Sequence, residues 1–327
     1  MRVLYAIQGT GNGHISRAME IVPLLKERAK TDVLISGIAS DLELPFDVKY
    51  RNYGLSFIFG KRGGIDLLAT YKKSRLKNLM QEIRELPVYK YDLVISDFEP
   101  VSAWAARKRK VPSAGLSNQV AVMSEGAPQP LKIDPIGKMV LRHYAPCDRE
   151  FGFHFKRYNN NIYTPIIRKE IRNAQWSKDG HYTVYLPSYD DARILKRLKK
   201  FPDVKWHVFS KHSKKKYKDD NVVVRPISNE AFLDSFVHCD GIITGAGFGA
   251  PGEALLMGKK LMVVPMKQQY EQQCNAAALR DMGVTVISSL KKKHHETISS
   301  WLETDRIVPV EYPDETAMIL DRILSGK

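Results

Sequence analysis

Residues 241–256 read GIITGAGFGAPGEALL. The first four are apolar or β-branched and predict a short buried strand, Gly241–Thr244. Four glycines follow, at 245, 247, 249 and 252. The helical signal of Ala254, Leu255 and Leu256 then predicts a helix beginning near Gly252 and running to Met257. Strand, glycine loop and helix in that order are the core of a βαβ unit. Amides freed by glycine and the positive end of a helix suit a phosphate. Glu253 puts a carboxylate near the helix start, where it can accept hydrogen bonds from both hydroxyls of a ribose. A tight turn with no ligand is the alternative for such a loop.

The same alternation runs outward on both sides. Lys260–Pro265 predicts a strand, Cys274–Met282 a helix and Val284–Ser288 a strand. Upstream, Tyr182–Leu186, Trp206–Ser210 and Asn221–Arg225 predict strands, with helices over Asp191–Lys199 and Ala231–His238. A second series opens the chain. Val3–Ile7 is a short apolar run, the glycine-rich turn GTGNGH occupies 9–14, and Ala18, Ile21, Val22, Leu25 and Ala29 recur at helical spacing. Ser16 is the candidate cap of that helix, and Pro23 predicts a kink or a late start. Strands at Asp32–Ile35, Asp92–Ser96 and Val111–Leu116 alternate with helices over 75–86, Val101–Lys110 and 136–150. Three prolines and a glycine make 124–135 a loop. A polar, irregular stretch around 156–180 marks the boundary between two domains. Alternating β and α elements imply parallel sheets covered on both faces. The fold class is therefore α/β, with two Rossmann-like doubly wound domains expected to face a cleft.

Composition narrows the function. The chain has 327 residues, 51 Lys+Arg against 36 Asp+Glu, and a net charge of +15. A hydrophobic content of 43% supports real cores and excludes intrinsic disorder. No run of 18 apolar residues predicts a membrane-spanning helix. Val3–Ile7 is too short for the apolar region of a signal peptide. Three cysteines, Cys147, Cys239 and Cys274, lie far apart with no CxxC pairing, which argues against a zinc site or disulfide framework and for a reducing cytoplasm. The charge excess calls for nucleic acid, an anionic membrane or a phosphorylated substrate. The basic runs Lys211–Lys218 and Arg107–Lys110 lack a recognisable nucleic-acid module or stacking platform, so they read as solvated faces and no nucleic-acid partner is expected.

Two further features carry chemistry. His14 ends the first glycine turn, where ligands of open α/β sheets bind. A histidine that merely caps a helix is the alternative. Asp97 lies just past the strand Asp92–Ser96, and a carboxylate beside a histidine orients the ring and makes it a better general base. Its alternative is to cap the helix near Val101. Glu271 and Gln272 sit at a strand-to-helix loop and suit sugar hydroxyls.

These motifs resemble those of the GT-B glycosyltransferases, near families 1 and 28, over both halves of the chain. The turn G-x-G-x-G-H-x-x-R-A is similar to that of a MurG-like subgroup. The segment GAGFGAPGEA is similar to the donor signature written H-C-G-W-N-S-T-L-E-A in plant members, with Gly245 where that signature has histidine. EQQCNA matches the D/E-Q-x-x-N-A end of the same signature. The resemblance implies His14 as catalytic base and Asp97 as its partner. For the donor it implies Gly11, Gly13, Ser188, Ile227, Thr244, Gly245, Ala246, Gly247, Phe248, Gly249, Glu253, Glu271 and Gln272. Arg225-Pro226-Ile227-Ser228 resembles the loop whose backbone reads the nucleobase. Arg17 and Asn118 are assigned to acceptor or phosphate. At 186–191 the sequence reads LPSYDD where MurG has a glycine loop. The resemblance also implies domains at 1–157 for acceptor and 158–308 for donor, and a last helix within 309–327 that crosses back to the first domain. Met318, Ile319, Ile323 and Leu324 form that helix's apolar stripe.

The activity so implied is inverting, metal-independent transfer of a sugar, of hexosyl or N-acetylhexosaminyl class, to an acceptor hydroxyl. The donor is a nucleoside-diphosphate sugar, with uridine the expected base. The nucleotide-sugar is a substrate, so no cofactor and no metal is expected. Residues 53–77 mix Leu55, Phe57, Ile58, Phe59, Leu67, Leu68 and Tyr71 with six Lys or Arg, a pattern that suits an anionic membrane carrying a lipid or lipid-linked acceptor. The alternative there is a core strand and helix with a basic outer face. The expected location is cytoplasmic, with peripheral contact at the inner membrane face. Two other functions use such scaffolds. One is a nucleotide-sugar 2-epimerase, which needs acid/base carboxylates such as Glu99 and Asp190. The other is a non-catalytic nucleotide-sugar-binding protein, which needs no base.

Overall fold

The computed structural model describes residues 1–37, 44–54, 76–267 and 269–326. They form two compact units. Met1–Ala127, Lys132–Arg168 and Pro313–Lys327 make unit 1, while Pro128–Leu131 and Lys169–Tyr312 make unit 2. Most of the 53–77 segment, residues 55–75, lies outside the described residues.

Unit 1 opens with β1 (Arg2–Gln8), α1 (Asn12–Arg28), β2 (Lys30–Ser36) and β3 (Tyr50–Asn52). It continues with α2 (Leu76–Glu85), β4 (Leu93–Asp97), α3 (Pro100–Arg109), β5 (Ser113–Ser117) and α4 (Asn118–Val122). α5 (Pro135–His143), β6 (Arg149–Phe153) and β7 (Ile162–Tyr163) complete its sheet region. The strand order is β3-β2-β1-β4-β5-β6-β7, and every described pair is parallel. Val3 to Ile7 of β1 are all buried, because helices cover both faces of a central parallel strand. Leu4, Ala6, Leu34 and Val94 pack against Val101, Ala105 and Ala106 of α3 to form one core layer.

Unit 2 carries α6 (Lys169–Arg172), β8 (His181–Tyr185), α7 (Asp191–Leu198), β9 (Lys205–Ser210), β10 (Tyr217–Asp219), β11 (Val222–Pro226) and α8 (Asn229–His238). β12 (Gly241–Thr244), α9 (Gly249–Leu256), β13 (Lys260–Val263), α10 (Tyr270–Asp281), β14 (Thr285–Val286) and α11 (His295–Glu303) follow. The order is β10-β11-β9-β8-β12-β13-β14. β10 pairs antiparallel and the others parallel. β10 ends the basic run at 211–218, and lysines on an edge strand discourage pairing with another chain. Trp206, Val208, Val222, Val224, Ile243 and Met262 build the core under α7 and α11.

Several local expectations change. α1 starts at Asn12, with extended Gly11 as its N-cap and no side-chain cap, so Ser16 lies inside the helix. The helix runs through Pro23. The expected helix over 136–150 stops at His143, since Pro146 cannot continue it, and β6 begins at Arg149. β6 and β7 lie in or beside the stretch read as irregular, and Phe151, Phe153 and Ile162 bury them. α9 begins at Gly249 rather than near Gly252, because Pro251 fits a first helical turn. α10 begins at Tyr270, four residues before the expected start, because Tyr270 is itself buried and its hydroxyl donates to Gln129 at 2.8 Å.

The last helix, α12 (Thr316–Leu324), belongs to unit 1. Arg28 of α1 donates to Asp321 at 2.7 Å, and Arg149 of β6 donates to the Ile323 carbonyl at 2.7 Å. The buried face is Thr316, Ile319, Leu320 and Ile323, at i, i+3, i+4 and i+7. Met318, one residue off that stripe, is 45% exposed.

Candidate active site

Ligands of open α/β sheets bind beyond the carboxyl ends of the strands where the strand order reverses. In unit 1 that point lies between β1 and β4. β1 leads into Gly9–Gly11 and then His14 in the first turn of α1, and β4 ends on Asp97. In unit 2 it lies between β8 and β12. β8 leads to Ser188 and β12 to Gly245.

The unit 1 cluster is closely bonded. His14 Nδ1 lies 2.8 Å from Asp97 Oδ1. Arg17 Nε donates to Asp97 Oδ2 at 3.0 Å, and its Nη2 donates to Oδ1 at 2.6 Å. Arg17 Nη2 also lies 3.1 Å from His14 Nδ1. Asp97 is wholly buried, Arg17 is 8% exposed, and the His14 side chain is 14% exposed. Burial pushes the Asp97 carboxyl up, but the charges and hydrogen bonds of Arg17 and His14 outweigh it and hold the carboxyl below its ordinary value. An ionised carboxylate only accepts hydrogen bonds, so the proton between it and the imidazole sits on Nδ1. The Arg17 and His14 donors then converge on one oxygen.

Local backbone aims this cluster. Phe98, directly after Asp97, has φ 55°, a left-handed conformation that costs a bulky residue energy. Its ring packs at a tilt against Tyr144, with centroids 4.7 Å apart. Glu99 then caps α3, accepting from Val101 N at 2.8 Å and Ser102 N at 2.7 Å. Capping of the helix near Val101, weighed above for Asp97, thus falls to Glu99. Ser36 Oγ donates to Glu99 at 2.5 Å, and burial raises the Glu99 carboxyl above its ordinary range despite these bonds.

Glycines separate into two kinds. A Cβ on Gly9 would stand 2.9 Å from Ile35 Cγ1 and 3.0 Å from the Ser36 carbonyl, so packing itself excludes a side chain there. A Cβ on Gly11, Gly13, Gly247 or Gly249 would meet nothing within 4 Å, and none of these has a left-handed φ. Nothing described around these four positions requires glycine.

In unit 2 the loop after β12 is held from α10. Asn275 Nδ2 donates to the Ala246 carbonyl at 3.2 Å. Gln272 accepts from Met266 N at 2.9 Å, with its Oε1 3.5 Å from the Cβ position of Gly245. Glu271 and Gln272 stand in the first turn of α10 rather than in a loop. Gly252 N bonds back to the Phe248 carbonyl, and Pro251 has no N–H, which leaves Gly249 and Ala250 as the amides at the open end of α9. Thr244, Ala246 and Phe248 are buried, and Glu253 is 6% exposed in the second turn of α9. Ser188 is exposed in the turn after β8, and Ile227 is exposed just past β11. Asn118 is buried at the start of α4 and donates to the Phe153 carbonyl at 3.0 Å.

Sequence reasoning missed two partners. It gave Arg17 to acceptor or phosphate, whereas two of its donors hold Asp97. The signal was the i, i+3 spacing of His14 and Arg17 on one helix face. It quoted Asn275 only inside a motif. An asparagine within a helix, where its propensity is poor, was the hint.

Solved structures share the architecture. A MurG from Acinetobacter baumannii is 15% identical, covers 99% of this chain and 99% of its own, and has a TM-score of 0.60. A glycosyltransferase of kitacinnamycin is 14% identical, with 99% and 95% covered and a TM-score of 0.60. Arabidopsis thaliana UGT89C1, complexed with UDP, is 14% identical, with 99% and 94% covered and a TM-score of 0.56. This likeness shows the GT-B fold, with its two parallel-sheet α/β domains. No curated protein sequence matches the chain. The sequence does match the model of glycosyl transferase family 1 over residues 1–304, and the chain belongs to that family.

Proposed function

We propose that the protein transfers a sugar from a nucleoside-diphosphate donor to an acceptor hydroxyl, with inversion at the anomeric carbon and without a metal ion. The observation that carries this reading is the 2.8 Å contact between His14 Nδ1 and buried Asp97. It leaves Nε2 as a base that can take the acceptor's proton as the oxygen attacks. On the donor side, the loop 245–249 and the open end of α9 bind the diphosphate through backbone amides and helix dipole, which stabilises the leaving group's charge. Glu253 binds the ribose, Glu271 and Gln272 the donor sugar, and the backbone at Ile227 the base. Uridine is the proposed base, and the transferred group is hexosyl or N-acetylhexosaminyl.

The acceptor is proposed to be a lipid or lipid-linked hydroxyl, with residues 53–77 meeting an anionic membrane and the protein peripheral at the cytoplasmic face. Among the described residues, no helix is long and apolar enough to cross a membrane. The 2-epimerase reading loses support at its two carboxylates. Glu99 is a buried helix cap, and Asp190 caps α7 by accepting from Arg193 N at 2.8 Å.

A thermal-shift panel of nucleotide-sugars identifies the donor, since a ligand of the folded state raises Tm. With that donor, His14→Ala is expected to lose about 10²–10⁴-fold in turnover while donor binding persists. Near-normal turnover in the variant removes the base assignment. Turnover unchanged by EDTA is expected of a metal-independent enzyme. Incubation with donor alone separates the activities, because an epimerised donor means epimerase.

A further inference from the structure

A fully buried carboxylate needs a fixed counter-charge. Among the described residues, Tyr5, His14 and Arg17 all reach Asp97, and of these only Arg17 is charged at every working pH. Its fork meets both carboxylate oxygens, at 3.0 and 2.6 Å, the bidentate geometry in which guanidinium and carboxylate match best. The Phe153 ring lies 5.7 Å from the Arg17 guanidinium carbon. Arg17 and His14 stand one turn apart on α1, so one helix delivers both to the same oxygen of Asp97.

We propose that Arg17 is a positioning residue for the base: it holds Asp97 as a buried anion and balances its charge, so that His14 keeps an unprotonated Nε2 at neutral pH. This rests on the reading of His14 as the base and adds a third member to the pair.

The charge balance around the imidazole carries the argument. Asp97 faces it from β4 and Arg17 from its own helix. Tyr5 of β1 neighbours Asp97, and burial together with the Asp97 charge raises its pKa, so it stays a neutral phenol. Phe153 of β6 has no charge. Asp97 and Arg17 together are neutral, so this pair orients His14 without presenting it a net negative charge. Without Arg17, His14 is the remaining cationic partner of Asp97 among the described residues, and the imidazole takes up a proton to fill that role. A protonated imidazole accepts nothing from an acceptor hydroxyl. Removing Arg17 therefore silences the base near neutral pH and leaves it recoverable at higher pH.

Imidazole nitrogen NMR of the full chain tests this, alongside pH profiles of kcat/KM. In the unaltered protein, His14 is expected as the neutral Nδ1–H tautomer at pH 7.5. An imidazolium or the Nε2–H tautomer there overturns the proposal without need of any variant. In Arg17→Met, the His14 titration midpoint should rise by about one pH unit or more. It should return toward wild type in Arg17→Lys, which restores charge without the fork. The acid limb of kcat/KM should move with it, with donor KM unchanged and turnover recovering on the alkaline side. An unmoved midpoint in folded Arg17→Met overturns the role of Arg17 whatever the activity. If the midpoint moves while the acid limb stays, the failure belongs to the assignment of His14 as base.

Discussion

Gly9 and Gly247 both follow a strand, yet the space beside them differs. At Gly9 a methyl group would meet the Ile35 side chain at 2.9 Å and fixed backbone at 3.0 Å, where β1 turns close to β2. Gly9→Ala is therefore expected to lose about 1–3 kcal/mol of stability through overpacking, read from chemical denaturation. At Gly247 a methyl group would enter open space. Gly247→Ala should leave the denaturation midpoint within error but weaken donor binding by about tenfold or more, equivalent to about 1.4 kcal/mol. A stable Gly9→Ala protein, or a destabilised Gly247→Ala protein with normal donor affinity, contradicts the division. Sequence marked both positions as glycine-rich turns and could not separate them, because the difference lies in which strand comes near. The meeting of His14 and Asp97 was legible for a related reason. Position at the end of an apolar strand is a local property, whereas the use of Arg17 depends on a carboxylate 80 residues away.

Elements with strong periodicity were legible in kind, and their ends were not. β1, β8, β12 and β13 fall on the expected apolar runs, while α9 and α10 both start earlier than their apolar residues suggest. First-turn residues of a helix need not be apolar, and a proline there is tolerated, so periodicity reports the body of a helix rather than its start. β6 was hidden because it is short and lies beside a polar stretch. The pairing of β8 with β9 creates a feature no single strand reveals. His181 and His207 stack with ring centroids 4.1 Å apart, and both bond to Ser235 of α8. Burial, then the neighbouring His181 and the Arg225 and Lys216 charges, lowers the His207 pKa to about 4, against an ordinary value of 6.5. Burial lowers His181 as well. A histidine neutral in the fold but protonated when unfolded gives stability that is whole above pH about 6.5 and is lost as pH falls towards about 4. Buried His154 of unit 1, lowered to about 3, acts in the same direction. His207→Gln should flatten the fall in unfolding free energy between pH 6.5 and 4 measured by urea titration. An equally steep fall in the variant places the acid sensitivity elsewhere.

At the scale of the molecule, unit 1 is discontinuous in sequence. Its sheet is complete by residue 163, yet α12 arrives only after all of unit 2 has been made. The helix is no ornament to the fold, since Ile319, Leu320 and Ile323 are buried and Arg28 and Arg149 bond to it from α1 and β6. Each such side chain contributes about 1.5–3 kcal/mol when fully buried. Losing three of them is comparable to the whole stability of many domains, about 5–15 kcal/mol. Among the described residues, the core of unit 2 is built from side chains between Tyr182 and Leu302, none of them on α12. Truncation after Tyr312 should therefore act on one unit alone. Hydrogen exchange should show α1 and β6 losing protection while β8, β9, β12 and β13 keep theirs, and the truncated chain should still gain thermal stability from the nucleotide-sugar found in the panel. Catalysis should vanish, since His14 lies on α1. Protection lost evenly through both units would mean that the chain unfolds as one body and that α12 serves the whole of it. Protection lost nowhere would mean that the buried face of α12 contributes little, against the burial recorded for its side chains.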